Sequence, residues 1–322
     1  MLRVGVIGVG HLGTIHASLW SKVPEVRLIG VVDADAASAA RVALAAGTIA
    51  YDSVSALLKD VDAVSIVTPT QSHATVALEA LAAGVHCFIE KPIAATVSDA
   101  RTISSLAIEK KLVVQVGHIE RFNPAILALG KMILEPLFIE SHRLAQYKPR
   151  ATDVPVVHDL MIHDIDVILS LVHSPVARLD ANGVSVVSDA TDIANARIQF
   201  ENGCVANVTA SRISQSPMRK MRIFQQDAYI SIDFAAPKVE IFRLVDDADA
   251  AGATMKLGEI EKGSRKRTII FEQPAVSPVN ALQFELEQFR DSIVNGSPVV
   301  VTADEGIRAL EIAEQIVALI SA

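Results

Sequence analysis

The chain has 322 residues, of which 51% are hydrophobic and 20% charged, so it can bury the cores of two domains and has little tendency to disorder. The net charge of −8 argues against nucleic acid as a partner, because phosphate binding needs concentrated lysine and arginine. Mean hydropathy is high at +0.37, yet no run approaches the roughly 18 apolar residues of a spanning helix. Since the N-terminus also lacks signal-peptide features, we expect a cytoplasmic protein with no membrane partner.

The two cysteines, Cys87 and Cys204, stand alone in apolar segments. Their positions provide neither a disulfide framework nor the spacing of metal ligands. We therefore predict that both are core residues and that the protein holds no metal.

The first 120 residues alternate short Val- and Ile-rich runs with alanine-rich helical segments. The predicted strands are residues 3–7, 26–32, 63–67, 85–89 and 112–116. Near-continuous apolar strands separated by helices indicate a parallel sheet covered on both faces. The predicted fold class is therefore α/β, with a doubly wound Rossmann domain for a dinucleotide in residues 1–120.

Residues 121–322 follow a different rhythm, in which apolar and polar residues alternate, as in residues 194–200. Alternation with period two indicates strands with one covered face. Helices are predicted at residues 124–133, 159–172, 279–294 and 303–320, and a strand at 138–145. We interpret this half as an α+β domain with a mostly antiparallel sheet, for substrate binding and for assembly into a homodimer or homotetramer.

A glycine-rich turn, Gly8-Val9-Gly10-His11-Leu12-Gly13, follows the first predicted strand and precedes a helix. Gly8 permits the tight turn, Gly10 leaves room for a pyrophosphate, and Gly13 allows close packing of helix and strand. The free N–H groups of the helix then face the phosphates. The turn predicts a dinucleotide site, with His11 and Leu12 also in contact with the cofactor.

Asp33 closes the second predicted strand, twenty residues beyond Gly13. A carboxylate there accepts hydrogen bonds from the adenosine ribose and repels a 2′-phosphate. Residues 34–37 contain no arginine, and Arg41 is the first cation after them. The sequence therefore favours NAD over NADP.

A lysine follows the predicted strand at 85–89, in the tripeptide Glu90-Lys91-Pro92. Ligands of open α/β sheets bind beyond the carboxyl ends of the strands, which would put Lys91 at the nicotinamide. A surface lysine before a loop is the alternative.

A narrow polar stripe marks the predicted helix at 159–172, where Asp159, His163, Asp166 and Ser170 share one face and Asp164 lies off it. An aspartate and a histidine four residues apart suit a general base and the carboxylate that orients it. A buried hydrogen-bond network is the alternative.

These motifs together resemble the glucose–fructose oxidoreductase, inositol dehydrogenase and rhizopine-catabolism family (Gfo/Idh/MocA) over essentially the whole chain. The matching pieces are Gly8-x-Gly10-x-x-Gly13-x-x-His16, Thr68-Pro69-Thr70-x-x-His73, Glu90-Lys91-Pro92 and Asp159-x-x-x-His163. The resemblance implies that Lys91, Asp159 and His163 are the catalytic set. It also implies a cis peptide bond before Pro92 and cofactor contacts from Thr68, Pro69, His73, Glu90 and Lys91.

Within that family, residues 116–124 and 159–166 are most similar to the branch that oxidises the 3-hydroxyl of UDP-N-acetylglucosamine. The similarity implies hydride transfer from that carbon to NAD, with His163 as base, Asp159 orienting it and Lys91 stabilising the alkoxide. Which of Lys91 and His163 finally holds the proton stays open. A free-sugar or inositol dehydrogenase and a non-catalytic sugar or nucleotide sensor are the alternatives.

Predicted substrate contacts come from five residues: Lys91, His163, Arg121 and Asn123 after the predicted strand at 112–116, and Arg150 in a polar loop. Arg212 and Arg222, on alternating strands, are interpreted instead as residues of solvated faces.

Overall fold

The computed structural model describes residues 1–130, 132–147, 154–246, 255–262 and 265–321. The chain divides into two compact units. The first unit comprises Met1–Phe122 and Asn280–Glu311, and the second comprises Asn123–Val279 and Ile312–Ala322.

The helices of the described part are α1 His11–Trp20, α2 Ala36–Ala46, α3 Val54–Leu57, α4 His73–Ala82, α5 Val97–Lys110, α6 Pro124–Leu127, α7 Ile162–Leu171, α8 Ala281–Val294 and α9 Ala303–Ser321. Its strands are β1 Leu2–Ile7, β2 Val26–Val32, β3 Ile49–Ala50, β4 Ala63–Ile66, β5 His86–Glu90, β6 Val114–Gly117, β7 Phe138–Leu144, β8 Val176–Val184, β9 Ile193–Phe200, β10 Val205–Ser211, β11 Met218–Phe224, β12 Ala228–Asp233, β13 Lys238–Val245, β14 Met255–Lys262 and β15 Arg265–Glu272.

The first unit is built on a parallel sheet of order β3-β2-β1-β4-β5-β6. This is the strand order of a Rossmann domain, and it reverses between β1 and β4, where such sheets bind ligands. The predicted parallel α/β fold is confirmed. The two-residue strand β3 escaped prediction because it is too short for a pattern.

Apolar side chains cover both faces of this sheet. One cluster contains Ile66 and Ile89 together with Val301 and Ile307, and the other contains Trp20 and Phe289. Each such side chain, fully buried, stabilises the fold by about 1.5–3 kcal/mol.

The segment Asn280–Glu311 therefore packs with the first unit. The domain boundary predicted from the sequence instead assigns every residue after 120 to the second domain. Leu286 and Phe289 of α8 are buried in the cluster on one face of the parallel sheet. The sequence shows that α8 has an apolar face but does not say which sheet that face covers.

The second unit carries a sheet of order β14-β15-β13-β12-β11-β7-β10-β9-β8 among the described residues. Its neighbouring strands are antiparallel except β7 and β10, so the predicted mostly antiparallel sheet is confirmed. One face is buried through residues such as Ile139, Ile223 and Ile230, and α7 packs against it.

The helix predicted at 124–133 is shorter than expected, because α6 ends at Leu127. The following N–H groups of Leu129 and Gly130 reach back only three residues, and Gly130 has a φ of +56°. A glycine in this left-handed conformation ends a helix.

Candidate active site

The glycine-rich turn between β1 and α1 requires glycine at two positions. A Cβ on Gly8, whose φ is +85°, would lie 2.7 Å from the main-chain nitrogen of Thr68, and one on Gly13 would lie 1.9 Å from the oxygen of Gly8. A Cβ on Gly10 would meet no atom within 4 Å, so there is open space at the start of α1. A pyrophosphate fits this space, and the N-terminus of α1 attracts it.

Thr68, His11 and Leu12 are three of the residues predicted to make further cofactor contacts. The hydroxyl of Thr68 is buried and makes no hydrogen bond within the described part of the chain. A buried polar atom without a partner is costly, so it is suited to a bound group. The side chain of Leu12, in the first turn of α1, is 38% exposed, and that of His11 is exposed as well.

Asp33 directly follows β2 and is bonded to the glycine-rich turn. Its Oδ2 accepts the N–H of Val9 over 2.6 Å, and its Oδ1 accepts the N–H of Asp35 over 2.9 Å. A carboxylate has about four acceptor positions, so the two oxygens can still accept ribose hydroxyls.

Lys91 directly follows β5, and its peptide bond to Pro92 is cis, as predicted. The N–H of Lys91 donates to Oε2 of Glu90 over 3.2 Å, while Oε1 of Glu90 lies 3.1 Å from Nε2 of the fully buried His16. A Cβ on Gly117 would lie 3.0 Å from Cδ of Glu90. The carboxylate of Glu90 is therefore held against the turn that carries Lys91.

His73, at the start of α4, lies between the loops that follow β4 and β5. Its Nδ1 is 2.8 Å from the carbonyl oxygen of Pro92, and its Nε2 is 2.8 Å from that of Thr68. Burial lowers the pKa of His73, against the opposing effects of the two carbonyl oxygens and of Glu90. The family motif predicts His73 as a site residue but does not predict these two contacts.

Asp159 and His163 lie in the second unit, at the start of its buried helix. Asp159 is in a π-helical turn, Val157–Met161, and His163 is in the first turn of α7. Both are half-buried, whereas Asp166 of the predicted stripe is buried. π-helical turns occur often at functional sites.

Asp164, which lies off the predicted stripe, forms an ion pair with Arg143 of β7. Oδ2 and Oδ1 of Asp164 accept hydrogen bonds from Nε and Nη2 of Arg143 over 2.7 and 3.2 Å. Both side chains are almost fully buried. The pair fixes α7 on the sheet of the second unit.

Arg212 is buried and anchors the chain segment that enters the π-helical turn, so its interpretation as a solvated residue is wrong. Its guanidinium donates to the carbonyl of Val154, and its main-chain N–H donates to that of Asp192 over 3.0 Å. Arg222 does lie on an exposed face, as predicted, where it pairs with Glu140 over 3.1 Å.

Asp192 organises the loop before β9. Burial opposes its ionisation, but hydrogen bonds from the hydroxyl of Ser188 and the N–H groups of Val186, Val187 and Ser188 lower the pKa of Asp192 to about 2. Because Thr191 accepts the N–H of Val156 over 2.9 Å, this loop also holds the segment before Asp159.

The predicted substrate residues have different surroundings. Nη2 of Arg121 donates to Oε1 of Glu305 over 3.2 Å. Asn123 caps α6 by accepting the N–H of Ala125, and it donates to the carbonyl of Phe234 over 3.2 Å. Arg150 lies outside the described residues.

The prediction that Cys87 and Cys204 are core residues is confirmed, since both are buried free thiols. Burial raises the pKa of both, that of Cys204 to about 11. In the described part of the chain, no group of three or more His, Cys, Asp or Glu side chains could hold a metal ion. Within the same part, every helix is too short or too polar to cross a membrane.

Comparison with known families identifies both parts of the chain. Residues 2–118 match the NAD-binding Rossmann fold of the Gfo/Idh/MocA oxidoreductase family, and residues 139–231 match the C-terminal domain of that family. The chain belongs to this family. The resemblance inferred from the motifs is thereby confirmed, and the Rossmann unit takes a cofactor of the NAD(H) type.

The relatives include a UDP-N-acetylglucosamine 3-dehydrogenase from Acidithiobacillus ferrooxidans, 40% identical over 98% of this chain and 96% of its own length. A solved structure of a protein of that name from the same organism has a TM-score of 0.89 and 39% identity, covering 99% of this chain and 97% of the other. A scyllo-inositol 2-dehydrogenase (NAD(+)) from Bacillus subtilis is 29% identical over 66% of this chain and 68% of its own.

Proposed function

We propose that this protein oxidises the 3-hydroxyl of UDP-N-acetylglucosamine to a ketone, with NAD as the hydride acceptor. The observation that carries this proposal is the relative of that activity, which is 40% identical over 98% of the chain. Lys91, Asp159 and His163 provide the side chains that such a reaction needs. Inositol dehydrogenases match about half to two thirds of the chain at 29–35% identity, and an inositol or a free sugar is the second candidate substrate.

The catalytic roles follow from the chemistry of these side chains. His163 accepts the proton of the sugar hydroxyl, since a histidine titrates near neutral pH. Asp159 is a carboxylate that can accept a hydrogen bond from one nitrogen of the His163 imidazole, so that the other nitrogen accepts the proton. The ammonium group of Lys91 donates a hydrogen bond to the same sugar oxygen and stabilises the developing alkoxide. Bound NAD supplies the hydride acceptor.

NAD is proposed over NADP because of the carboxylate of Asp33. A negative charge at the end of β2 repels a 2′-phosphate. The first cation after Asp33 along the chain, Arg41, donates from a guanidinium nitrogen to the hydroxyl of Ser38 over 3.3 Å. Ser38 in turn donates to Asp35 over 2.6 Å. This second carboxylate adds to the negative charge beside the ribose position.

Four described residues, Lys91, Arg121, Asn123 and His163, are proposed to bind the substrate. Lys91 and Arg121 belong to the first unit, and His163 and Asn123 belong to the second. We assign the second unit to substrate binding and to self-assembly.

Self-assembly is proposed through one face of the sheet in the second unit, namely the face opposite the buried one. A second copy of the chain would pack on this outer face. An aromatic row crosses this face through register partners on β7, β11, β12, β13 and β15. Neighbouring ring centroids lie 5.0 to 5.9 Å apart along the row Phe138, Phe224, Tyr229, Phe242 and Phe271. Phe224 is 38% exposed.

The charges beside the aromatic row favour a second copy as the occupant. The face carries charges of both signs, which are joined in ion pairs: Arg222 with Glu140, Lys220 with Asp233 and Lys238 with Glu240. Such a face complements a copy of itself turned by a two-fold rotation. The sheet has nine described strands, which are about 4.8 Å apart and about 23 Å long, so the area of this face is on the order of 900 Å². A standard interface needs roughly 800 Å² per partner, so the face is large enough.

The proposed activity is tested by NADH formation with UDP-N-acetylglucosamine, UDP-N-acetylgalactosamine, N-acetylglucosamine, glucose and myo-inositol. Calorimetry with UDP alone is the companion measurement. We expect the highest kcat/KM for UDP-N-acetylglucosamine and saturable binding of UDP. Turnover of inositol or a free sugar without UDP binding would favour the second candidate, and binding without turnover of any substrate would favour a sensor.

A further inference from the structure

The imidazole of His73 connects two loops that no strand pairing connects. The last pair of the ladder between β4 and β5 is Ile66 with Ile89. Beyond this residue pair both segments leave the sheet. The segment after β4 leads to Thr68, and the segment after β5 leads to Lys91 and Pro92. Both ring nitrogens of His73 lie 2.8 Å from a carbonyl oxygen, one in each loop.

Both loops carry predicted parts of the site. A Cβ on Gly8 would lie only 2.7 Å from the main-chain nitrogen of Thr68, so this loop is packed against the glycine-rich turn. The other loop carries Lys91 immediately before Pro92. A link between the carbonyls of Thr68 and Pro92 therefore sets the position of Lys91 relative to the cofactor turn.

Histidine suits this link because its two nitrogens point in different directions. A neutral ring has a single N–H and donates to one of the two carbonyl oxygens, according to its tautomer, whereas the charged ring donates to both. Since both nitrogens lie against protein oxygens and the side chain is 1% exposed, the ring is committed to the two loops.

We propose that His73 is a positioning residue, which holds the loop after β4 against the loop after β5 and thereby fixes Lys91 for reaction. The proposal rests on the proposed role of Lys91 in hydride transfer. His73 itself contacts neither the substrate nor the reacting atoms. Its contribution is the placement of a catalytic group, and a displacement of about 1 Å can cost on the order of a hundredfold in rate.

The test compares His73→Asn, whose side-chain amide NH2 can still donate hydrogen bonds, with His73→Phe, whose side chain can donate none. His86→Gln is the matched control, because Nδ1 of His86 also bonds the main chain, accepting the N–H of Val113 over 2.8 Å at the opposite end of β5. Three quantities are measured for each variant. NADH affinity is measured by fluorescence, kcat is measured at saturating cofactor and substrate, and Tm is measured by calorimetry.

We expect kcat to fall at least about tenfold in His73→Phe and by less in His73→Asn, with NADH affinity changed much less than kcat. The control should lower Tm and leave kcat unchanged. If His73→Phe does not fold, His73→Asn decides the result. Loss of NADH affinity at constant kcat, or a lower Tm with wild-type kinetics, would overturn the proposal.

The double variant Lys91→Met/His73→Asn separates this proposal from the proposed function. If His73 acts through Lys91, the substitution at His73 costs almost nothing once Lys91 is gone. Additive losses would contradict the positioning role. Full activity of Lys91→Met alone would contradict the catalytic role of Lys91, whereas no NADH formation by the wild type with UDP-N-acetylglucosamine would contradict the proposed function.

Discussion

The main-chain N–H of Val9 donates a hydrogen bond to Oδ2 of Asp33 over 2.6 Å, so the carboxylate at the end of β2 is part of the glycine-rich turn. The same carboxylate is the proposed acceptor for the adenosine ribose. Substitutions at Asp33 therefore change two properties, the shape of the turn and the charge beside the ribose, and these can be separated.

Asp33→Asn keeps an oxygen for the N–H of Val9 but removes the charge. We expect kcat/KM for NAD to fall about 10- to 100-fold, because a charged hydrogen bond worth about 1.5–3 kcal/mol is lost. We also expect NADP to become a better competitor of NAD. Asp33→Ala should lose more and should also lower Tm. Steady-state kinetics with both cofactors measures the change, and a wild-type preference for NADP would refute the assignment.

Lys91→Met should lower kcat by about 10²–10³-fold, because one charged donor at the reacting oxygen is worth roughly 3–4 kcal/mol. NADH affinity, measured by fluorescence, should stay close to that of the wild type. The exposed Lys59 provides a control. Lys59→Met makes the same substitution at a residue outside the proposed site, so it should change neither kcat nor NADH affinity. More than half of wild-type activity in Lys91→Met would show that the lysine is not catalytic.

Arg143→Met should destabilise the protein by about 3–5 kcal/mol, because it leaves the carboxylate of Asp164 buried without its charged partner. Arg143→Met/Asp164→Leu replaces the whole pair by apolar side chains and should recover most of this loss. Urea denaturation gives both values. A double variant no more stable than the single one would contradict this account of the pair.

The stability that Asp192 contributes should disappear in acid. Its pKa is about 2 in the folded chain against an ordinary 3.8, so the folded state favours the charged form. The contribution is complete above about pH 4 and falls as the pH drops toward 2. Asp192→Asn should therefore be less stable than wild type at pH 6, and the difference in Tm should shrink toward pH 3. An unchanged difference over this range would refute the assignment.

Phe224→Arg should dissociate the proposed dimer, because it places a charge in the middle of the aromatic row. We expect the dissociation constant to rise at least about 30-fold, the loss of an interface hot spot of at least 2 kcal/mol. Val186→Arg is the control, since Val186 is also in the second unit and is 60% exposed. Sedimentation equilibrium measures both variants, and a monomeric wild type would refute the proposed interface.

Local patterns were enough to predict the parts of the site that one stretch of chain determines. The turn from Gly8 to Gly13, the acidic residue Asp33 and the cis bond before Pro92 all follow from short motifs. The two sheet types follow from the change in hydrophobic period. The signals at the glycine-rich turn and at Pro92 lie within a few residues each, and that of Asp33 lies twenty residues beyond Gly13.

Features that depend on distant pairing were not predictable from the same patterns. The partner of Asp164 is Arg143, on a strand separated from it by the segment around residue 150, and no spacing rule links the two. Arg212 reads as a surface arginine until its carbonyl partner at Val154 is known. The π-helical turn at Asp159 is likewise a tertiary effect, because its sequence has an ordinary helical composition.

The most direct test of the proposed reaction uses UDP-N-acetylglucosamine that carries deuterium at C3 of the sugar. On incubation with NAD, the deuterium should appear in the NADH, bound to C4 of the nicotinamide, and the Lys91→Met variant should transfer almost none. Substrate labelled at C4 of the sugar should yield unlabelled NADH. Transfer of the label from any carbon other than C3, or no NADH from this substrate, would contradict the proposed function.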